Sequence, residues 1–333
     1  MTDTRATALG TTPDSPASRR RAMLWQMVDD YSLILIFVAL FVVLSATVQY
    51  FFSWDNMAGL LLSVSQIGMV ACTMMFCLAS RDFDLSVGST VAFAGVFCAI
   101  VANATGSVVV GVLAALVAGA LVGFVNGAVI AKLRINALIT TLATMEIVRG
   151  LAFISSHGQA VGVSNEAFFA LGSASVAGLS VPVWITLGCF ALFGVLLNKT
   201  IYGRNTLAIG GNPDAARLAG VAVDRVRIAI FLIQGLVAAL AGVILASRMT
   251  SGQPNAGQGF ELNVISACVL GGVSLMGGRA TISGVIVGVL IMGTVQNAMS
   301  LMNIDAFYQY VVRGTILLIA VLVDQLKNRR QAR

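Results

Sequence analysis

Apolar runs of about 17 to 25 residues recur along this chain, and each is long enough as a helix to cross a hydrocarbon core of about 30 Å. Charged residues make up only 10% of the total, against roughly 25% in a soluble domain. The fold class that follows is an all-α polytopic membrane protein with one compact membrane domain. Hydropathy predicts about ten transmembrane helices, at 32–50, 58–80, 88–104, 107–131, 135–155, 181–198, 226–246, 261–276, 281–301 and 308–323. Gly- and Ser-rich breaks flank the second and eighth of these, which are candidates for part-crossing helices.

Residues 1–30 are rich in Thr, Ser, Pro and Arg and read as a disordered cytoplasmic tail ending in Arg19-Arg20-Arg21. No clear small-residue cleavage site follows, so the first span is read as uncleaved. The transmembrane domain covers 31–326, with a polar loop at 199–225 and a basic cytoplasmic tail at 327–333. Orientation comes from Lys and Arg, which favour cytoplasmic loops. With both termini cytoplasmic, every Lys and Arg falls inside except Arg149 and Arg313, within spans, and Arg248, outside. The long outer loop at about 156–180 carries none. The net charge of +6 is thus a topology signal, and no basic stripe with interleaved aromatics points to nucleic acid.

Motifs echo in order along the chain. Asp84-Leu85-Ser86 is matched by Glu261-Leu262-Asn263, Gly123 to Ala128 by Gly293 to Ala298, and Val148-Arg149-Gly150 by Val312-Arg313-Gly314. The separations are 177, 170 and 164 residues. Two five-helix repeats are predicted. An odd number of spans per repeat inverts one relative to the other, a common plan for transporters.

Ionisable groups inside a bilayer are costly, so each needs a reason. Glu146 and Arg149 lie three apart on one helix face. They either neutralise one another or face a pathway. Arg313 is the repeat-mate of Arg149, placed to snorkel or to pair with Asp305 or Asp324. Asp82 and Asp84 follow the second span beside Arg81. Ser80, Asp84 and Ser86 either cap the next helix or, with Glu261, line the mouths of a path. Asn136, Thr140, Thr144 and Gln309 add uncharged polar lining. Gly119, Gly123 and Gly127 form a small-residue face, either for packing within the subunit or for a seam between subunits. Cys72, Cys77, Cys98, Cys189 and Cys268 read as buried small hydrophobes. His157 stands alone, and metal sites need clusters, so neither metal nor cofactor is expected. No lysine follows a glycine, which excludes a Gly-x-x-x-x-Gly-Lys phosphate loop. ATP hydrolysis by that route must come from another chain, and an enzyme is not expected here.

The polar segment Asn212 to Gly220 is a complete miniature helix. Asn212 can cap the free N–H groups, and Pro213 at the first helical position needs none. Asp214 faces the positive end of the helix dipole. Ala215, Leu218 and Ala219 share an apolar patch, and Gly220 suits a left-handed stop. Such a self-terminated surface helix gives a soluble partner something to push.

From about residue 60 to 325 the chain resembles the permease subunits of sugar ABC importers serving ribose, xylose, galactose and arabinose. The matching stretches are Asp84 to Gly88, Tyr202 to Asn205, Ala208 to Asn212, Ala215 to Gly220 and Leu270 to Gly278. Likeness to the L-arabinose type rests on Cys77 to Ser80, Asp82 to Ser86, Ile135 to Met145 and Ser247 to Pro254. Where many relatives carry two glycines before Asp84-Leu85-Ser86, this chain has Asp82-Phe83, and it has Arg81 where a small residue is expected.

The resemblance implies an inner-membrane permease that imports a pentose, L-arabinose by likeness. It also implies a cytoplasmic ATP-binding subunit, a periplasmic sugar-binding protein and a second permease copy in a homodimer. Asn212, Asp214, Ala215, Ala216, Arg217, Leu218 and Gly220 would then form the coupling helix seated on the ATPase. A path between the fifth and tenth spans would be lined by Asp84, Asn136, Thr140, Thr144, Glu146, Arg149, Glu261, Gln309 and Arg313. The competing class is an ion-coupled secondary sugar transporter with Glu146 as proton carrier. A structural scaffold is a third.

Overall fold

The computed structural model describes residues 33–331. The expected tail at 1–30 therefore lies outside the described residues. Among those described, seven helices are long and apolar enough to cross a membrane. They are α2 (Trp54–Ala79), α3 (Val87–Thr105), α4 (Val108–Lys132), α5 (Ala137–Ser155), α7 (Val181–Lys199), α10 (Val223–Arg248) and α12 (Ile282–Leu301). Three apolar helices are shorter over their apolar stretch: α1 (Leu33–Thr47), α11 (Phe260–Leu270), and α13, apolar over Ala306–Leu322 and helical through Gln331. Each predicted span meets one of these helices, and the eighth is cut from 261–276 to α11. Gly271 and Gly272 follow α11, and the chain leaves helical geometry there.

Burial ranks the helices. α2 is 83% buried over its span and α10 61%, against 22% for α4. A helix apolar on every side belongs either inside a protein or in lipid, and here α2 takes the first place while α4 turns most of its surface outward. α2 also carries Ser65, Gln66 and Thr73 into the interior. The hydroxyls of Ser65 and Thr73 each donate to a carbonyl one turn back.

The glycine face of α4 packs within the subunit. Gly119 lies against Gly235 and Ala239, Gly123 against Phe231, and Gly127 against Ile228, all on α10. A side chain at any of the three would strike that helix, so small residues let the backbones meet. All five cysteines are free and buried.

The loop at 156–180 has its own structure, which hydropathy did not foretell. β1 (Val161–Gly162) pairs antiparallel with β4 (Ser251–Gly252), tying this loop to the segment after α10. α6 (Glu166–Ser173) follows, capped by the Asn165 side chain and sunk through Phe168. Ser247 on α10 donates its hydroxyl to the Phe168 carbonyl at 2.5 Å. Then β2 (Ser175–Val176) and β3 (Leu179–Ser180) form a hairpin. Its two turn residues, Ala177 and Gly178, both have positive φ, as a two-residue turn of the primed type needs. His157 is exposed with φ +52.

The polar loop at 199–225 holds two helices, α8 (Ile201–Gly211) and α9 (Pro213–Leu218). α8 is capped by Thr200 and buries Gly203, Thr206, Ile209 and Gly210. Gly210 sits against the Ala79 carbonyl at the end of α2, where no side chain fits.

Candidate functional site

α9 is capped by its own residues. The Asn212 carboxamide accepts from the Asp214 and Ala215 N–H groups, both at 3.0 Å. Gly220, at φ +86, ends it in the left-handed region, and the Val221 N–H returns to the Ala216 carbonyl at 3.0 Å. Ala216 corrects its expected part in the coupling surface. It is buried with Ile209 and Val223, so it anchors α9 rather than offering contact. Asp214, Ala215, Arg217, Leu218 and Ala219 are exposed. Leu218, at 90%, is the most exposed large apolar residue described. Arg217 reaches Asp214 at 3.7 Å and Asp224 at 3.4 Å. Exposed pairs contribute little energy, but these orient α9 on the first turn of α10.

The connection between α2 and α3 runs beside α9. Arg81 donates from Nε to the Met276 carbonyl and from Nη2 to the Gly211 carbonyl, at 2.5 and 3.0 Å. Asp82 is 4% exposed and pairs with Arg227 of α10 at 3.1 Å. Burial pushes its carboxyl up to about 6, while Arg227 and the Ser80 hydroxyl pull it down. The Phe83 carbonyl accepts from the Thr141 hydroxyl of α5 at 3.2 Å. Asp84 is buried and accepts from the Ser86 N–H and hydroxyl, at 2.9 and 2.6 Å. Burial holds it too at about 6. Asp84 therefore braces Ser86, the residue preceding α3, and faces no open path in this conformation.

That bracing continues through a residue of the Gly123 to Ala128 motif to which the sequence assigned no role. Asn126 of α4 donates to the Ser86 hydroxyl at 3.0 Å and accepts from the Thr144 hydroxyl of α5 at 2.7 Å. A buried amide without partners is costly, and its lone place among apolar residues was the available signal. Thr140, one turn earlier on α5, donates to the Asn136 carbonyl, and Asn136 caps α5 by accepting from Leu138 and Ile139.

Arg149 is half-buried and donates from Nη1 to the Pro254 and Ala256 carbonyls at 2.8 and 2.6 Å. Among the described residues it makes no ion pair with Glu146, which is exposed on α5. Carbonyl solvation from the segment after α10 thus joins the attraction of Glu261 and Glu146 in holding the Arg149 charge. Glu261 opens α11 with its carboxylate against Gly88 at the start of α3. Gln309 is half-buried on α13. Arg313 stacks over Tyr310 at 5.2 Å, and Asp305 caps α13 at the Phe307 N–H. The structure thus joins Asp84 and Thr144 in a first cluster through Ser86 and Asn126, with Asn136 apart from it at the N-terminus of α5. Arg149 and Glu261 belong to a second cluster, and Arg313 and Gln309 stand apart on α13.

Between residues 81–83, the start of α5 and α9 lies a cavity of about 640 Å³. Arg81, Asp82, Arg134, Asn136, Asp214 and Arg227 are among its lining residues. It is charged with both signs.

The family model described as branched-chain amino acid transport system / permease component matches residues 56–321. The L-arabinose transport system permease protein of Escherichia coli is 62% identical over 301 residues, covering 90% of this chain and 92% of that relative. The L-arabinose ABC transporter permease protein of Azospirillum brasilense is 55% identical over 316 residues, covering 95% and 93%. The ribose import permease protein of Bacillus subtilis is 42% identical over 275 residues, covering 82% and 85%. No solved structure matches the chain. A helical membrane bundle matched along nearly its whole length in this way belongs to the family of transport-system permease components that includes the L-arabinose and ribose import permeases.

Proposed function

We propose that this chain is the membrane permease subunit of an ATP-driven importer that moves a pentose, L-arabinose, into the cytoplasm. The substrate rests on the names of the L-arabinose relatives. The mechanism rests on α9, a rigid, self-capped helix whose Leu218 projects outward. A soluble ATP-binding subunit receives that face, with Asp214, Ala215, Arg217 and Leu218 in contact and Asn212, Ala216 and Gly220 holding the shape. A periplasmic sugar-binding protein delivers the sugar to the opposite face, and a second permease copy completes the dimer. Hydrolysis belongs to the partner, and the permease is not itself an enzyme.

Both termini lie in the cytoplasm of a cell whose inner membrane the chain crosses. Its spans form two inverted repeats, α1–α5 and α7–α13 with the α6, α8 and α9 insertions outside the count. The packing supports this plan. α2 packs on α11 and α12, while α10 packs on α3 and α4, so each half lends its central helix to the other. Gly88 at the head of α3 also abuts Gly257 and Glu261 at the head of α11. Rocking of one half against the other would open the path alternately, with α5 and α13 flanking it and the uncharged polar residues of α5 binding sugar weakly.

The test is assembly and uptake in membranes carrying the full transporter. Leu218→Arg or Asp214→Arg should insert normally, release the ATP-binding subunit and abolish uptake. Normal uptake by both variants would sink the reading. Uptake should also survive collapse of the proton gradient while ATP is kept, and its loss there would favour ion coupling through Glu146.

A further inference from the structure

Three consecutive residues after α2 are each held by a different part of the molecule, and a fourth braces the connection itself. Arg81, with φ +67, is in a left-handed conformation that bulky residues rarely adopt. Its guanidinium bridges the Gly211 carbonyl, one residue before the cap of α9, and the Met276 carbonyl in the connection between α11 and α12. Asp82 grips Arg227, one turn into α10, the helix that follows α9. Phe83 is held by Thr141 of α5. Asp84 holds Ser86, and through it Asn126 of α4 and Thr144 of α5. The N–H of Gly278 donates to the Ala79 carbonyl at 2.9 Å, fastening the α11–α12 connection to the same place.

α9 is therefore bracketed. One clamp, Arg81, holds the chain before it, and a second, Asp82, holds the chain after it. Both clamps sit on one short connection whose remaining polar groups are tied to α4 and α5. A shift of α9 relative to this connection must stretch the Arg81 bonds or leave the buried Asp82 carboxylate unpaired. Both are unfavourable, so the connection follows the helix.

We propose that Arg81 and Asp82 are positioning residues that carry displacement of α9 into the α4–α5 pair, making the 81–86 connection the transmission of this permease. The inference rests on the reading of α9 as the seat of the ATP-binding subunit. It differs from that reading in locating where the motion goes next.

The experiment uses the complete transporter with its ATP-binding subunit and sugar-binding protein in vesicles, with L-arabinose as probe. Three quantities are read: retention of the ATP-binding subunit, ATP hydrolysed, and sugar moved per ATP. Asp82→Asn and Arg81→Ala should retain the subunit and its hydrolysis, while sugar moved per ATP falls roughly tenfold, the size of an ordinary coupling free energy. Arg227→Lys keeps the charge opposite Asp82 and should recover most of the coupling. Arg81 is exposed, so its variant folds even if the Asp82 variant does not, and it then decides alone. Unchanged sugar per ATP in the variants that retain the subunit overturns the proposal. So does an equal fall in hydrolysis and uptake, which is what a merely structural role predicts. Leu218→Arg separates the two levels. If it leaves the subunit bound and working, the α9 reading has failed. If it releases the subunit while Arg81→Ala and Asp82→Asn transport normally, only the transmission has failed.

Discussion

Thr144 of α5 donates its hydroxyl to the Asn126 carboxamide of α4 at 2.7 Å, and the amide nitrogen of the same Asn126 reaches Ser86. This contact ties α5 to α4. It also extends the polar contacts of Asp84 to the fully buried Asn126.

Removing the middle of this chain of contacts should cost more than removing its end. Asn126→Leu takes the acceptor from the Thr144 hydroxyl and the donor from the Ser86 oxygen, whose own bond to Asp84 remains, at about 1–3 kcal/mol for the group so orphaned. Thr144→Val should cost less, and the double variant should fall short of the sum because the two share one bond. Thermal unfolding in detergent measures this. Strict additivity would mean that the pair does not interact.

Close approach of α4 and α10 gives a second prediction. Gly123→Leu puts a side chain into the Phe231 backbone and should destabilise by about 1–3 kcal/mol or more through overpacking. Gly150→Ala, where a side chain meets open space, should be neutral or slightly stabilising, since it only removes freedom from the unfolded chain. Equal unfolding temperatures for the two variants would contradict the packing described.

Asp82 makes stability depend on pH in a stated direction. Its folded value is raised from 3.8 to about 6 by burial. A raised carboxyl favours the folded state below its unfolded value and loses that contribution as pH rises through the folded one. Wild type should therefore gain on Asp82→Asn as pH is lowered from about 6 to about 4. Coupling should move the opposite way, because the pair with Arg227 needs the ionised form. Uptake per ATP should decline below about pH 6 in wild type and be flat in Asp82→Asn. A flat stability difference across this interval would remove Asp82 as the titrating group.

Arg149 and Glu146 should prove unequal. Arg149→Met abandons the Pro254 and Ala256 carbonyls and should loosen the segment between α10 and α11, seen as faster amide exchange there with reduced uptake. Glu146→Gln removes a charge that makes no ion pair among the described residues and should lower uptake only modestly. Complete loss of uptake by Glu146→Gln at normal expression would point to ion coupling instead.

The α-helical class, the membrane setting and the place of nearly every apolar helix were written in the sequence. Each depends on hydropathy and period, which are properties of neighbouring residues. The caps of α9 were equally legible, since Asn212, Pro213 and Gly220 act within one turn of themselves. What the sequence left open were choices between partners. Gly119, Gly123 and Gly127 suited an internal contact or a subunit seam, and packing on α10 settled it. Arg149 was three residues from a carboxylate and took carbonyls more than a hundred residues away. Ala216 looked as available as Ala215 until Ile209 and Val223 closed over it. The reason is common to all three: local chemistry fixes what a residue can do, whereas the angles and offsets at which whole helices pack fix which distant group it meets.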